Sequence, residues 1–349
     1  MTVLVKPATK IELMHRAYYS SHGLNNGLIV FASSEGDATV ISPNLVVQTT
    51  IKRPTKIKDV AVHPFLPVLG FVEDEDNHLT IVDLDGQTIH QSLFSETEEP
   101  PGFDIEGSGS SHFERDGLHL WYAFARSSDD VEIQWLDCNT WSIAHKIVIE
   151  DPYGESHISL HSTDATERVA LWLAGGQDGQ QVYWLTIGEE GIVCEAEPLL
   201  EDTTPPVFSP SGHGFLAIEG ETIVNKYSFP DLRLVGTYEW TEDEEEALGE
   251  LVCYVDDKSA LIISGEGRVF LMDLVAMALS EDVFVEGHEP QPVPVYHPTL
   301  VNDQGLCTDI SRIERFGDTV VFVFQREDRT VVSPWKDTLL FVPLTAFTN

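Results

Sequence analysis

Apolar and polar positions alternate along most of the chain in short runs broken by turn residues, and the three-to-four spacing of amphipathic helices is nearly absent. The clearest stretch runs from Lys58 to Phe94, where KDVAVHP, VLGFVED, LTIVDLD and QTIHQSLF predict four successive strands. Four short strands joined by tight turns make one antiparallel meander. The same order recurs from His112 to Glu150 as HFERDG, LHLWYAFARS, VEIQWLDCNT and WSIAHKIVIE, and from His157 to Leu199 as HISLHS, RVALWLAGG, QVYWLTIG and GIVCEAEPL. Two further units follow: PPVFSPSG, GFLAIEG, TIVNKYSFPD and LRLVGTYEW, then ELVCYVDD, SALIISGEG, RVFLMDL and EDVFVEG. Near the start, GLIVFASS, DATVISP and NLVVQTTIK supply another unit, whose first strand is expected within KIELMHRAYY.

The C-terminal unit, CTDISRIERFG, DTVVFVFQRE and KDTLLFVPL, has only three strands, and MTVLVKP at the N-terminus is a strand without a unit. Joining the two completes seven meanders and closes a ring, which removes the exposed edges of an open array. The sequence therefore predicts an all-β, seven-bladed β-propeller of four-stranded antiparallel blades, closed by the N-terminal strand pairing with the C-terminal blade. The whole chain, 1–349, is expected to form one propeller domain, with approximate blades 10–50, 57–95, 110–150, 155–200, 204–240, 249–286 and 306–345 plus 1–7. A pair of β-sandwiches would also use short strands at this spacing, but would not require one recurring four-strand unit. The proline-rich connection Val285–Gly305 is stiff and extended, which marks it as a functional arm or as a departure from seven blades.

VAVHP before an apolar strand, FSPSG at Phe208–Gly212, and strand-ending aspartates in TIVDLD, IQWLD and VFLMD resemble the landmarks of WD40-type β-propellers. Trp135-Leu136-Asp137 approximates the Trp-Asp ending of such blades. The resemblance spans nearly the whole chain and implies a non-enzymatic scaffold for protein–protein interaction. A propeller enzyme of the hydrolase or lyase type, with polar groups in the central channel, is the alternative from another class. An accessory subunit of a bacterial ATPase-containing complex is a third.

Charge narrows the partners. The chain carries 58 acidic and 20 basic residues, a net charge of -38. A field of that sign repels phosphate, so neither nucleic acid nor an anionic membrane is an expected partner. The acids either solvate the surface, adapt the protein to high salt, or form a face that receives a basic protein; the 17 Phe argue against salt adaptation. No run approaches the roughly 18 apolar residues of a membrane helix, and Lys6 and Lys10 interrupt any leader-like stretch. A cytoplasmic protein is expected. Cys138, Cys194, Cys253 and Cys307 are far apart with no CxxC pair, so they read as reduced core residues.

In a propeller, the turn between the second and third strands of a blade shares one face with the connections between blades. Those turns read SSEGD, EDEDNH, SSDD, GGQDGQ, GEGR and REDR, and nearly all carry a carboxylate. One Asp satisfies a turn; doubled and tripled acids exceed that need. WTEDEEEALGE, between the fifth and sixth units, is expected on the same face. The candidate partner-binding residues are Glu73, Asp74, Glu75, Asp76, Asp129, Asp130, Glu242, Asp243, Glu244, Glu245 and Glu246. Between the first two units, KRPTKIK concentrates four basic residues, as a solvated charged loop, an internal counter-charge or a second contact. His157 and His161 share one strand face ahead of Asp164, a partial zinc pattern with no third ligand at a dependable spacing. Nucleotide loops, nucleophile elbows and HExxH are absent, so no cofactor, metal or catalytic residue is assigned. The aromatics Trp121, Tyr122, Trp135, Trp141, Trp172, Tyr183 and Trp184 are expected mainly between blades.

Overall fold

β-Branched and aromatic residues at alternating positions present two apolar faces from one extended segment, and the segments that carry them pair as antiparallel strands. The structure, a computed structural model, describes residues 2–5, 7–73, 78–92, 108–163, 168–197, 200–220, 222–240, 248–265, 267–285, 306–328 and 336–347. Among these, 29 strands form seven sheets. The chain divides into two compact units, one of residues Ala17–Pro205 and one of Met1–Arg16 with Pro206–Asn349.

The first unit holds four sheets, each with its strands in chain order. They are Tyr19–His22, Ile29–Ala32, Asp37–Ile41 and Val47–Lys52; Ile57–Val62, Val68–Glu73, His78–Asp83 and Thr88–Gln91; Gly109–Phe113, His119–Ala125, Asp130–Asp137 and Ser142–Glu150; and His157–Ser162, Val169–Ala174, Gln180–Gly188 and Gly191–Ala196. The second unit holds three. The fifth sheet is Val207–Phe208, Gly214–Glu219, Ile223–Ser228 and Leu234–Glu239, and the sixth is Leu251–Asp256, Ser259–Ile263, Val269–Asp273 and Ala278–Val285. The seventh joins Leu306–Phe316, Thr319–Asp328 and Lys336–Pro343 to an N-terminal strand.

That closure uses a segment one strand further along than MTVLVKP. Thr9–Glu12 pairs antiparallel with Lys336–Pro343, with Ile11 opposite Leu339, and becomes the fourth strand of the seventh sheet. Thr2–Val5 runs parallel to Ala278–Val285 as a fifth strand on the sixth sheet. The KIE segment, expected to open the first blade, therefore belongs to the seventh, and the first sheet opens at Tyr19. Pairing distinguishes the two assignments, and Ile11 and Leu13 are buried at this position.

Within each unit, adjacent sheets bury their facing sides against one another. Val30, Val40, Ile57 and Phe71 fill the space between the first and second sheets. Val72, Ile81, Phe113 and Tyr122 fill the next, and Trp121, Ile133, Leu171 and Leu185 the one after. In the other unit, Ile218, Tyr254 and Ile262 join the fifth and sixth sheets, and Leu261, Val320 and Phe322 join the sixth and seventh. Second strands are accordingly buried at every position in Ile29–Ala32 and Val68–Glu73, whereas the edge strand Ser142–Glu150 is largely exposed.

The first strands of adjacent sheets are stitched by small polar side chains. A first strand pairs on one side only, which leaves backbone groups on the other side needing partners. Ser21 Oγ accepts the Val62 N–H at 3.1 Å, and Asp59 Oδ2 accepts Ser110 Oγ–H and the Ser111 N–H at 2.8 and 2.7 Å. Ser108 and Ser110 Oγ accept the N–H groups of Ile158 and Leu160, and His112 Nε2 meets Ser162 Oγ at 2.5 Å. This explains why YSSH, GSSHF and HISLHS are rich in Ser and His rather than Val and Ile.

Two outcomes are expected. Deleting residues 1–13 leaves Lys336–Pro343 as an open edge, so size-exclusion chromatography should show oligomers and the thermal midpoint should fall; an unchanged monomer would contradict this role. Burial, assisted by His22, lowers the His112 pKa to about 4. A histidine whose folded pKa is depressed contributes stability that is present above its unfolded value and lost on acidification. Wild type should therefore lose urea stability relative to His112→Gln between about pH 6.5 and 5; parallel curves would rule this out.

Candidate functional site

In a four-stranded meander, the second-to-third turn and the chain leaving the fourth strand lie at the same end of the sheet. Backbone hydrogen bonds join them in five sheets. The N–H groups of Arg53, Asp151, Asp202, Trp240 and Leu13 donate to the carbonyls of Gly36, Asp129, Gln180, Thr222 and Asp337, at 2.7 to 3.0 Å. At the first joint the approach is so close that a Cβ on Gly36 would lie 2.6 Å from the Arg53 carbonyl oxygen, and its φ of +96° also favours glycine. The expected loop-bearing end is thus a built feature of these five sheets.

Glu73 is placed beneath this end. It is 2% exposed, and its carboxylate takes Arg53 Nε at 2.5 Å and Arg53 Nη2 at 3.0 Å in a two-pronged pair. Arg53 comes from the basic KRPTKIK segment, which here serves as an internal counter-charge. Glu73 is therefore occupied within the fold and is separate from the exposed acids. Its sequence neighbours Asp74, Glu75 and Asp76 lie outside the described residues, as do Glu242, Asp243, Glu244, Glu245 and Glu246. Glu132 is another enclosed acid, facing Lys146 Nζ at 3.6 Å and Gln134 Nε2 at 2.7 Å, with Arg126 Nε at 4.0 Å.

Asp129 and Asp130 sit on the turn of the third sheet. Ser127 shapes it by accepting the Asp129 N–H and donating to Asp130 Oδ2, both at 3.3 Å; Asp129 is exposed and Asp130 half-buried. The following connection folds back on this turn, with the Glu155 N–H on the Ser128 carbonyl at 2.9 Å. Asp151 is buried and holds the connection by accepting Ser156 Oγ–H at 2.6 Å and the Ser156 and Tyr153 N–H groups at 2.9 and 3.1 Å. Tyr153 lies against Gly175 and Gly179 in the turn of the fourth sheet, and Asp202 Oδ1 accepts the Gln180 N–H at 3.3 Å. Burial raises the Tyr153 hydroxyl pKa, and Asp202, Glu201 and Asp151 add to it.

This chain of contacts brings exposed Asp129, Glu155, Asp178, Glu201 and Asp202 to one end of the third and fourth sheets, where Arg126 is the one basic residue among the described turn and connection residues. Asp178 stands in the acidic turn series read from the sequence. Glu155, Glu201 and Asp202 were not selected there, although the segments EDPYGES and EDTTPP are inter-blade connections and must emerge at the same end.

Metal and nucleophile chemistry can be examined in the same terms. His157 and His161 face one way, but four strand residues separate them by about 13 Å, too far to share an ion; His161 Nε2 instead meets Ser159 Oγ at 2.7 Å. Asp164 lies outside the described residues. Glu114, Asp116 and His119 bring donor atoms within 4.8 Å of one another. Their atoms are already engaged: Glu114 Oε1 accepts the indole N–H groups of Trp121 and Trp135 at 2.8 and 2.9 Å, and Oε2 meets His119 Nδ1 at 3.2 Å. Asp116 Oδ1 accepts the Leu118 N–H, and His119 stacks on Trp135 at 3.7 Å. The trio braces the third sheet and its aromatics. Burial pushes the Cys138 and Cys194 thiols up to about 12, leaving no activated thiolate there.

No family model matches the sequence, and no curated protein matches it. Among solved structures, the chain is similar to the β-propeller domain of Cps50 (Swd1) from Myceliophteria thermophila, with a TM-score of 0.61 and 9% identity over 96% of this chain and 98% of that one. With seven sheets, each built on four antiparallel strands and one extended by the parallel strand Thr2–Val5, the fold is that of a seven-bladed β-propeller. Among the described residues, no helix is long and apolar enough to cross a membrane.

Breaking the enclosed Arg53–Glu73 pair should cost about 3 to 5 kcal/mol in Glu73→Gln or Arg53→Met, because the partner charge is left buried alone. The double variant Arg53→Met/Glu73→Leu should recover most of that stability. A denaturation double-mutant cycle reads the coupling; additive losses would show that the two residues act independently.

Proposed function

We propose that the protein is a non-enzymatic scaffold that captures a basic protein on the end of the propeller bearing the second-to-third turns and inter-blade connections. The observation that carries this reading is the set of exposed carboxylates, Asp129, Glu155, Asp178, Glu201 and Asp202, held on a hydrogen-bonded frame with Arg126 as their one basic neighbour among the described residues of those segments. Turn chemistry accounts for Asp151 and for part of Asp130, which cap backbone and hydroxyl groups. It accounts for part of Asp202, whose Oδ1 accepts the Gln180 N–H, but not for Asp129, Glu155, Asp178 or Glu201. Like charges gathered on one surface repel one another and raise the local negative potential, which a cationic partner relieves. WD40-type propellers characteristically work through protein partners, and the sequence resemblance supports that class here.

The surface in the unit Ala17–Pro205 comprises those five residues and Asp130; the acidic segments Asp74–Asp76 and Glu242–Glu246, read from the sequence, are kept as further candidate partner-binding residues. A field of this sign disfavours nucleic acid and anionic membrane as partners, and a cytoplasmic setting suits the free thiols of Cys138, Cys194 and Cys253. Two variants test the reading: Glu242–Glu246 replaced by Ser, and a second with Asp129, Glu155, Asp178, Glu201 and Asp202 replaced by Asn or Gln. Affinity capture from the native source with quantitative mass spectrometry should recover a basic protein with wild type. Each variant should retain roughly tenfold less of it at about 50 mM salt, with the difference shrinking by about 300 mM. Equal capture by all three proteins across the salt series would overturn the proposal.

A further inference from the structure

The first-to-second and third-to-fourth turns lie at the other end of each sheet, and in the unit Ala17–Pro205 that end has a different chemistry. The first-to-second turns of the first three sheets are locked together. Asn25 and Asn26 donate their N–H groups to the Pro64 carbonyl at 3.1 and 2.9 Å. Asn26 Nδ2 donates to the carbonyls of His63 and Leu66 at 2.8 and 2.9 Å, while its Oδ1 accepts the Leu28 N–H. His63 Nδ1 accepts the N–H groups of Phe65 and Leu66, which leaves its Nε2–H to donate to the Gly117 carbonyl at 3.0 Å. Gly117 has a φ of +68°, and a Cβ there would lie 2.6 Å from the His63 ring and 3.1 Å from the Phe65 ring.

This rigid frame presents apolar side chains to solvent. Leu24 is 43% exposed, Phe65 52%, Leu66 53% and Leu118 49%. A turn has no need of such residues, and Pro64 and Pro67 on either side of Phe65-Leu66 restrict the backbone that displays them. The described charges on or bordering the first-to-second and third-to-fourth turns of this unit are Asp83, Asp85, Glu114, Asp116, Asp137, Glu189 and Glu190 against Arg115 and Arg168. An apolar strip with acidic surroundings matches a segment that offers apolar anchors flanked by Lys and Arg. A second copy of the chain is a poor match, since each copy carries a net charge of -38.

We infer that Leu24, Phe65, Leu66 and Leu118 form a second docking surface, at the opposite end of the sheets from the acidic turns, for a basic amphipathic segment of a partner protein. The surface is preorganised by the Asn26 and His63 bridges, so binding requires little ordering of the chain.

The test uses the full-length protein and fluorescent peptides of about 14 residues: an amphipathic Leu/Lys peptide, its Leu/Glu counterpart, and an all-Lys peptide. Fluorescence anisotropy should show binding of the Leu/Lys peptide, weakened roughly tenfold or more in Phe65→Ser/Leu66→Ser, and weakened also in Asp85→Ser/Glu189→Ser/Glu190→Ser. Thermal melts confirm that these surface variants remain folded. Replacing Glu242–Glu246 by Ser should leave the peptide affinity unchanged, so the two ends are tested separately. The inference is overturned if the all-Lys peptide binds as well as the Leu/Lys peptide, or if Phe65→Ser/Leu66→Ser has no effect. It is also overturned if sedimentation shows a wild-type dimer that the Phe65 and Leu66 substitutions dissolve, which would make the occupant a second copy.

Discussion

A four-stranded sheet with two apolar faces and a short core of its own cannot stand alone in water, and everything else in this protein follows from that constraint. The sheet must bury both faces against neighbours, as Val30, Phe71, Tyr122, Trp121 and Leu171 do in successive layers of one unit and Tyr254, Leu261 and Phe322 do in the other. Face-to-face packing also sets the first strands of adjacent sheets side by side, where their outward backbone groups lack a strand to pair with. Serine and aspartate supply the missing acceptors. The lateral stitches from Ser21 to Ser162 are therefore a consequence of the layering as well as a support for it.

Layering frees the two ends of every sheet for other tasks, and in the unit Ala17–Pro205 the chain uses them differently. One end concentrates carboxylates on turns and connections held by recurring backbone bonds. The other end fixes three turns through Asn26 and His63 and exposes a short apolar strip. The acids themselves fall into two groups with separate physics. Glu73, Glu132 and Asp151 are enclosed and matched by cations, amides or hydroxyls, so they hold the frame. Asp129, Glu155, Asp178, Glu201 and Asp202 face water, where a charge is well solvated and available to a partner.

Much of the fold is legible in the amino-acid order because a strand's side-chain period is two and the four-strand unit recurs. VLGFVED and LTIVDLD announce strands buried on both faces, and the missing fourth strand of the last unit implies closure by the N-terminus. The exact closing strand is not legible, since MTVLVKP and TKIE both carry strand patterns and only long-range pairing separates them. The candidate site is legible in outline, through its acidic turns. Glu73 looks the same as its neighbours in the string EDED, but a long-range partner 20 residues away takes it into the interior. Conversely, Glu155, Glu201 and Asp202 lie in connections without a turn motif, and their membership follows only once the ends of the sheets are counted by strand parity.

The central claim is that the acidic end of the propeller is where a protein partner sits. Amide hydrogen exchange, compared for the protein alone and saturated with its captured partner, tests this most directly. The account predicts slowed exchange in residues 127–130, 151–155, 176–179 and 200–202. Slowed exchange confined to the outer strands, such as residues 142–150 and 191–196, with those four segments unchanged, would contradict it.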